Sequence, residues 1–464
     1  MQMRYIRLLS LLFAGCLLLT SAGCKKGPEA AGSSAVSAAP TDGTGERVSP
    51  TDAEHTAGTT AGTTSGTETA ASAAGTERSA PPATGTNRSS DDRLLETKPT
   101  ADGTKGESTM HTAKQTNITS AAAARRATYA FDDPTLANLY GRVYWEGNKW
   151  DSTPWFGWTC SGFEVTFTGT YLQTEVQVNS SVCQYWNVYV DGKEPYKIVV
   201  NQNGAVDLAK NLSDGIHTVK VEKATERWAS TGFRRLTTSK NGGFSAPEPM
   251  SERKILVIGD SITAGFGTDK EYTLFTDSQS QHMHNGNKTY GAYLSRAFHA
   301  QNQILGCSTY GIRQNADRTP GVMQSIFLKT DYNKDKGRDY GFDWTPDVVI
   351  INLGTNDEAA GVSEAEAAAA AGDFIRLIRS KYPRAAVIWA YGVMGRKYMS
   401  AFENMVQTLN AEGLADVYFQ PLDAQKADTV GLDGHPSALT HKRMAEKLIP
   451  LIERITGWNA DKIG

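Results

Sequence analysis

Three short apolar runs constrain the C-terminal half of this chain more than any other feature. Residues 254–258 (Lys-Ile-Leu-Val-Ile), 347–353 (Asp-Val-Val-Ile-Ile-Asn-Leu) and 386–390 (Ala-Val-Ile-Trp-Ala) each hold four or more consecutive apolar residues. They are too short for helices and lack the alternation of a half-exposed strand, so each reads as a strand covered on both faces. Between the last two lies an Ala-rich helix over residues 363–381, with Phe374, Leu377 and Ile378 at helical spacing. Ser363 caps it, and Glu366 three residues on completes a capping box. A final helix is expected from His441 to about Ile455. Strands alternating with helices imply an α/β unit, a parallel sheet flanked by helices, over residues 252–464.

The preceding region has a different grammar. Phe163, Val165 and Phe167 alternate with Glu164, Thr166 and Thr168, the period of a half-buried strand. Trp186, Val188 and Val190 repeat the pattern, and Asp191-Gly192 signals a hairpin before residues 196–200 (Tyr-Lys-Ile-Val-Val). Another strand, residues 217–221, follows the turn at Asp214-Gly215. Short strands with turn signals and no helical period predict an all-β sandwich over residues 127–243. A Gly/Pro-rich stretch, residues 242–251, connects it to the α/β unit.

The first 24 residues read as an export signal. Arg4 and Arg7 precede an apolar run over residues 8–19, too short to span a bilayer comfortably, and the small residues 21–23 lead to Cys24. That arrangement resembles a bacterial lipoprotein signal, with Cys24 as the acylated N-terminus; Cys16 is a weaker candidate because cleavage there leaves little apolar run. Ordinary cleavage releasing a soluble protein is the alternative. From residue 25 to 126 the chain is Thr, Ala, Ser and Gly with scattered charge, too poor in apolar surface to offset the entropy of ordering, so it is expected to be a disordered tether. The expected location is outside the cytoplasm of a bacterium, either anchored to a membrane or secreted.

Lys plus Arg number 47 against 50 Asp plus Glu, a formal charge of −3, which leaves no basic excess for nucleic acid. No clustered His/Cys spacing of the zinc kind occurs, so neither metal nor other cofactor is expected. Cys160 and Cys183 both fall in the sandwich and either pair after export or stay free; Cys307 has no evident partner.

Gly259-Asp260-Ser261 directly follows a buried strand and precedes a helix. Ligands bind at the carboxyl ends of strands in such sheets, and a serine there can present its hydroxyl while its N–H faces an oxyanion. Asp-Ser is also a respectable N-cap, so the tripeptide alone is weak. Gly354-Thr355-Asn356-Asp357 ends the second strand, and Asn356 offers an N–H donor to developing negative charge, although Asn in a strand-end turn is common. Asp433-Gly434-His435-Pro436 precedes the final helix. A nucleophilic serine needs a base, and the base an orienting group; His435 and Asp433 fit these roles, Asp433 through its side chain or its backbone carbonyl. His441 reads instead as a residue of the first helical turn.

The order Gly-Asp-Ser, Gly-Thr-Asn-Asp, Asp-x-His resembles the SGNH (GDSL-type) hydrolases over residues 254–451. With the sandwich ahead of it, the chain more closely resembles carbohydrate esterase family 2. Gly141-Arg142, Ser161-Gly162-Phe163-Glu164, residues 352–357, His435-Pro-Ser, His441 and Met444-Ala445 carry that likeness. The resemblance implies a jelly-roll-like sandwich before an SGNH domain, and deacetylation of plant polysaccharides such as xylan or glucomannan. It implies a catalytic Ser261 and His435, with the Ser261 N–H and the Asn356 side chain in the oxyanion hole. Two positions depart from the pattern. Leu432 stands where most SGNH enzymes have the Asp of the triad, and some members of the suspected family rely on a Ser-His dyad with a backbone carbonyl. The second backbone donor is a Gly of a Ser-Gly-x-Gly stretch, of which Ser308-Thr309-Tyr310-Gly311 keeps only the last; Gly311 is slightly favoured over Thr309.

The expectation is therefore a monomeric serine esterase acting on an acetylated polysaccharide or oligosaccharide. Trp344, Trp389 and Tyr391, near strand ends, are candidates for stacking on sugar rings, although each is more often a core residue. Two other readings stand beside this one: a surface glycan-binding protein with an inactive hydrolase domain, and a lipase or peptidoglycan O-acetyl esterase of the same fold. Retention of Ser261, Asn356 and His435 argues against a pure binder.

Overall fold

The computed structural model describes residues 25–26, 127–148, 151–272, 274–278, 280–331 and 337–463. The expected signal, including Cys24 and Cys16, lies outside these residues, as does the tether apart from its first two. Those two, Lys25–Lys26, pair antiparallel with Phe275–Thr276. Two-residue pairings engage only backbone groups, which any sequence carries, so composition could not reveal this one.

Among the described residues twelve strands make the sandwich: β1 (Thr128–Tyr129), β2 (Asn138–Tyr140), β3 (Val143–Asn148), β4 (Asp151–Phe156), β5 (Gly162–Thr168), β6 (Leu172–Val178), β7 (Gln184–Val190), β8 (Tyr196–Val200), β9 (Gly204–Ala209), β10 (Ile216–Lys223), β11 (Thr231–Thr238) and β12 (Gly243–Ser245). One antiparallel sheet runs β9-β6-β11-β4-β3 with β1 beside β11; the other runs β12-β5-β10-β7-β8 with β2 beside β5. The alternation in β5 turns Phe163, Val165 and Phe167 into the core, where Phe163 and Trp186 meet Phe233 of the facing sheet edge-on at 5.0 and 4.8 Å. Asp191 and Gly192 both take positive φ, the backbone of the hairpin turn their pair announced. The last strand, β12, carries the sandwich two residues past 243 because it pairs with β5.

The second half holds five parallel strands, β13 (Lys254–Gly259), β14 (Gln301–Gly306), β15 (Val348–Asn352), β16 (Ala386–Tyr391) and β17 (Val417–Pro421), in the order β14-β13-β15-β16-β17. Among the described residues seven α-helices belong to this half: α1 (Ser261–Ala264), α2 (Tyr290–Ala297), α3 (Met323–Phe327), α4 (Thr355–Ala360), α5 (Glu364–Lys381), α6 (Met399–Ala411) and α7 (Ala438–Thr456). Alternate residues of each apolar run enter opposite cores. Leu256, Ile258, Val349, Ile351, Val387 and Trp389 pack with Phe374 and Ile378 of α5 and Phe402 of α6. Ile255, Val257, Val348, Ile350, Ile388 and Ala390 pack with Leu294 of α2 and Leu448 and Ile452 of α7. The Ser363–Glu366 capping box opens α5. Helix α7 begins at Ala438, three residues before His441, because Ser437 acts as its cap.

The described residues belong to one compact unit. Trp158, on the turn between β4 and β5, lies in the α/β core beside Ile258 and Cys307 and donates its indole N–H to the Thr330 carbonyl at 2.8 Å. Arg142 is 1% exposed and reaches the same half. Its guanidinium donates to the carbonyls of Phe327 (2.6 Å) and Lys329, and stacks 3.8 Å from the Tyr340 ring. Burial lowers its pKa to about 10. Cys160 and Cys307 are free buried thiols, so no Cys160–Cys183 bridge forms. Cys160 faces the α/β core, whereas Cys183 sits with Tyr185 and Ala224 in a separate cluster.

Replacing Arg142 with Ala would strand two buried carbonyls and open a cavity. The expected cost is about 3 kcal/mol of unfolding free energy, measured by denaturant titration, with sandwich and α/β half unfolding in one shared transition.

Candidate active site

Numbered along the chain, the parallel strands lie in the order 2-1-3-4-5 across the sheet, so the topological switch point, where sheets of this kind bind ligands, falls at the carboxyl ends of β13 and β15. The three sequence motifs that end or follow β13, β14 and β15 meet there. Gly259 lets α1 fold back on the strand: a Cβ on it would lie 2.1 Å from Thr263 Oγ1 and 2.6 Å from the Asn352 carbonyl. Asp260 caps α1, its Oδ1 accepting the Ile262 N–H at 3.0 Å. The rest of its carboxyl is buried without a partner, and burial first, with Asp357 and Glu226 nearby, raises its pKa to about 7. Ser261 is then the first helical residue, its N–H free of any intrahelical bond.

His435 arrives from the far end of the chain. The Leu432 N–H donates to the Gly267 carbonyl at 3.1 Å, and Gly267, at φ 66°, leaves no room for a Cβ against Leu432. This contact seats the His435 loop beside α1. His435 Nε2 lies 2.9 Å from Ser261 Oγ, and the ring packs 4.5 Å from that of Phe266. Burial dominates its ionisation and lowers its pKa to about 4, against the opposing pull of Asp433.

The Asp433 side chain makes no hydrogen bond to His435. Asp433 is exposed and sits at φ 51°, within a 3₁₀ turn, and His435 Nδ1 is buried without a partner of hydrogen-bond geometry. The backbone of Leu432 and Asp433 nevertheless supports the ring's basicity. Of the two routes by which Asp433 was expected to orient the base, the side-chain route is absent. Leu432, in the position where a triad Asp is usual, packs on Gly267 instead. His441 is buried in α7, where its Nδ1 accepts the Tyr290 N–H at 3.3 Å, remote from any base role.

Asn356, at the start of α4, donates one side-chain N–H to the Tyr310 carbonyl at 2.9 Å, which aims the amide at the loop after β14. That loop corrects the expectation for Gly311. The Gly311 N–H is committed to Asn315 Oδ1 at 3.0 Å, and Asp357 takes the next three, those of Ile312, Arg313 and Gln314, at 2.7–2.9 Å. Thr309 stands at φ 72°, the conformation for which a Gly would be the natural residue, and its N–H has no partner among the described residues. Asp357 was legible as part of a motif; its role in holding the loop was not, because bonds to backbone N–H groups leave no trace in residue type.

The three aromatics expected to bind sugar do not serve as such. Trp389 and Tyr391 are 0% and 1% exposed, because β16 is an interior strand covered on both faces. Tyr391 donates its hydroxyl to Glu358, and Trp389 packs on Phe402. Trp344 is half-buried and bonds Gln301 at the start of β14 with Lys254 over its ring, at the amino-terminal edge of the sheet and opposite Ser261. The exposed indole beside the site is Trp228, on the sandwich turn after β10, where Arg227 lies between it and Tyr310. Among the described residues no group of three potential ligands is arranged to hold a metal ion.

Fold and site together define a GDSL-type (SGNH) hydrolase. Residues 140–249 match the carbohydrate esterase 2 N-terminal family and residues 257–443 the GDSL-like lipase/acylhydrolase family. The chain is 30% identical over 331 residues to the cellulase/esterase CelE of Acetivibrio thermocellus, covering 66% of this chain and 38% of that one. It is 27% identical over 348 residues to an acetylxylan esterase / glucomannan deacetylase of Cellvibrio japonicus, covering 71% of this chain and 94% of that one. A family two carbohydrate esterase from Clostridium thermocellum, solved with cellohexaose, matches the fold with a TM-score of 0.63 at 29% identity, over 69% of this chain and 99% of that one. In sequence and fold the chain is similar to carbohydrate esterases of family 2, although it spans well under half the length of CelE.

His435 is expected to stay neutral at pH 7. Buried imidazole resists charging, so the ring titrates near pH 4 instead of 6.5, as NMR of its ring carbons would read. Asp433→Asn should move that midpoint lower, since the lost negative charge favoured the imidazolium.

Proposed function

We propose that this chain is a serine esterase that removes O-acetyl groups from plant cell-wall polysaccharide, with xylan and glucomannan as the substrate class. The observation that carries the reading is the 2.9 Å contact between His435 Nε2 and Ser261 Oγ at the switch point of the sheet. A buried imidazole set against a serine hydroxyl at this point of the sheet is the arrangement of a base beside its nucleophile. The acetylxylan esterase / glucomannan deacetylase of Cellvibrio japonicus supports the substrate class.

Ser261 Oγ attacks the acetyl carbonyl while its proton passes to His435 Nε2. The N–H groups of Ser261 and Thr309 and the Asn356 amide hold the oxyanion, each such donor being worth a few kcal/mol in the transition state. His435 then gives its proton to the departing sugar oxygen, leaving acetyl-serine. Water, deprotonated by the same imidazole, releases acetate and restores Ser261. With the Asp433 carboxyl disengaged, the catalytic pair is a dyad.

The residues ahead of the sandwich fit an exported enzyme held by a lipid on Cys24, acting as a monomer on glycan outside the cytoplasm. Labelling with a radioactive fatty acid, lost in Cys24→Ala, would test the anchor.

The decisive assay is acetate release from acetylated xylan, glucomannan and peptidoglycan by the full chain. Wild type is expected to deacetylate a plant glycan, and Ser261→Ala to lose at least about 10³-fold. Asp433→Asn is expected to stay within about fivefold of wild type, where a side-chain triad would lose about 10⁴. Silence of the wild type on all three substrates would refute the esterase.

A further inference from the structure

The second oxyanion donor sits on a strained residue. A β-branched side chain at φ 72° is costly, and such conformations persist only where neighbours over-determine them. Thr309 follows β14 directly, and the groups that bind its neighbour Ser308 come from the sandwich. Glu226, 1% exposed on the turn between β10 and β11, takes the Ser308 N–H on Oε2 at 3.0 Å and the Ser308 hydroxyl on Oε1 at 2.6 Å. Both oxygens of one buried carboxyl group thus grip the residue immediately before the donor.

The turn that carries Glu226 is itself fixed. Lys223 is fully buried, and its ammonium donates to the carbonyls of Glu226 (2.8 Å), Gly157 (2.9 Å) and Ala229, closing the turn on itself. Arg227, the next residue, places its Nε 2.6 Å from Cys307 Sγ. Residues 307 and 308 are therefore held from the sandwich side, while Asn356, Asp357 and Asn315 hold residues 310–314 from within the α/β half. Thr309 lies between the two grips, its carbonyl accepting the Ala316 N–H at 2.9 Å and its hydroxyl donating to Asp317 at 3.3 Å.

We propose that Glu226 is a positioning residue for catalysis: it holds the Ser308–Thr309 segment so that the Thr309 N–H points at the oxyanion. The proposal rests on the esterase reading above. It assigns the sandwich a part in the chemical step beyond any part in binding glycan. Glu226 touches neither substrate nor the reacting atoms, so its effect is expected in kcat and not in KM, because the donor it aligns is engaged fully only in the transition state.

The test uses the full chain and four variants: Glu226→Ala, Ser308→Ala, Thr309→Gly, and Glu226→Ala with Thr309→Gly. Acetate release gives kcat and KM, thermal unfolding reports folding, and inhibition by a small alkyl boronic acid reports affinity for a tetrahedral adduct on Ser261. Glu226→Ala is expected to lower kcat and boronate affinity together by about 10- to 100-fold, with KM within about twofold. Ser308→Ala, which keeps the backbone bond, is expected to lose less. Glycine adopts the left-handed conformation without strain, so Thr309→Gly should restore at least about fivefold of the kcat lost in Glu226→Ala. A merely structural role for Glu226 would not yield to that second change. A folded Glu226→Ala with wild-type kcat and boronate affinity would overturn the proposal alone, as would a loss that Thr309→Gly leaves unchanged. A wild type inactive on every acetylated substrate would overturn it together with the esterase reading.

Discussion

Burial of the parallel sheet on both faces governs where chemistry can occur in this protein. The side chains of β13, β15 and β16 enter two apolar cores, and the strand backbones bond to one another. A reactive polar group on these strands would meet only hydrocarbon, where an unpaired polar atom is costly. Polar function is therefore displaced to the strand ends. The strand order reverses at β13, and Ser261, Thr309 and Asn356 stand beyond the carboxyl ends of β13, β14 and β15.

The same economy explains the base. An imidazole removed from water remains neutral, which is the form that accepts a proton, and it needs no carboxylate to keep it so. His435 is buried against Phe266 and set by a backbone bond between Leu432 and Gly267. What a triad achieves with a third side chain is done here by loop packing and backbone. The dependence on packing also accounts for how closely the sandwich is joined to the α/β half. Trp158, Arg142 and Glu226 each cross between them and end in buried contacts with the segments that follow β14.

Much of the fold was legible from pattern. Continuous apolar runs identified β13, β15 and β16, which are the interior strands. The two edge strands were missed for the same reason. β14 begins Gln301-Asn302-Gln303, and β17 ends in Gln420-Pro421, because an edge strand with solvent on one side tolerates polar residues and proline. In the sandwich, alternation located β5, β7, β8 and β10, while shorter strands such as β1 and β2 carry too few residues to show a period. The aromatic assignments failed because a Trp or Tyr near a strand end reads alike whether it faces water or a helix.

The sequence by itself determined the α/β order of elements, the sandwich before it, and the presence of Ser261, Asn356 and His435 at strand ends and loops. These follow from local periodicity and short motifs, which act over a few residues. Tertiary structure decided which N–H stays free on residues 309–311, that the Asp433 side chain makes no hydrogen bond to His435, and that Glu226 reaches Ser308 across 82 positions of chain. Hydrogen-bond donors are identical in every residue but proline, so only the arrangement of neighbours distinguishes a committed N–H from an available one.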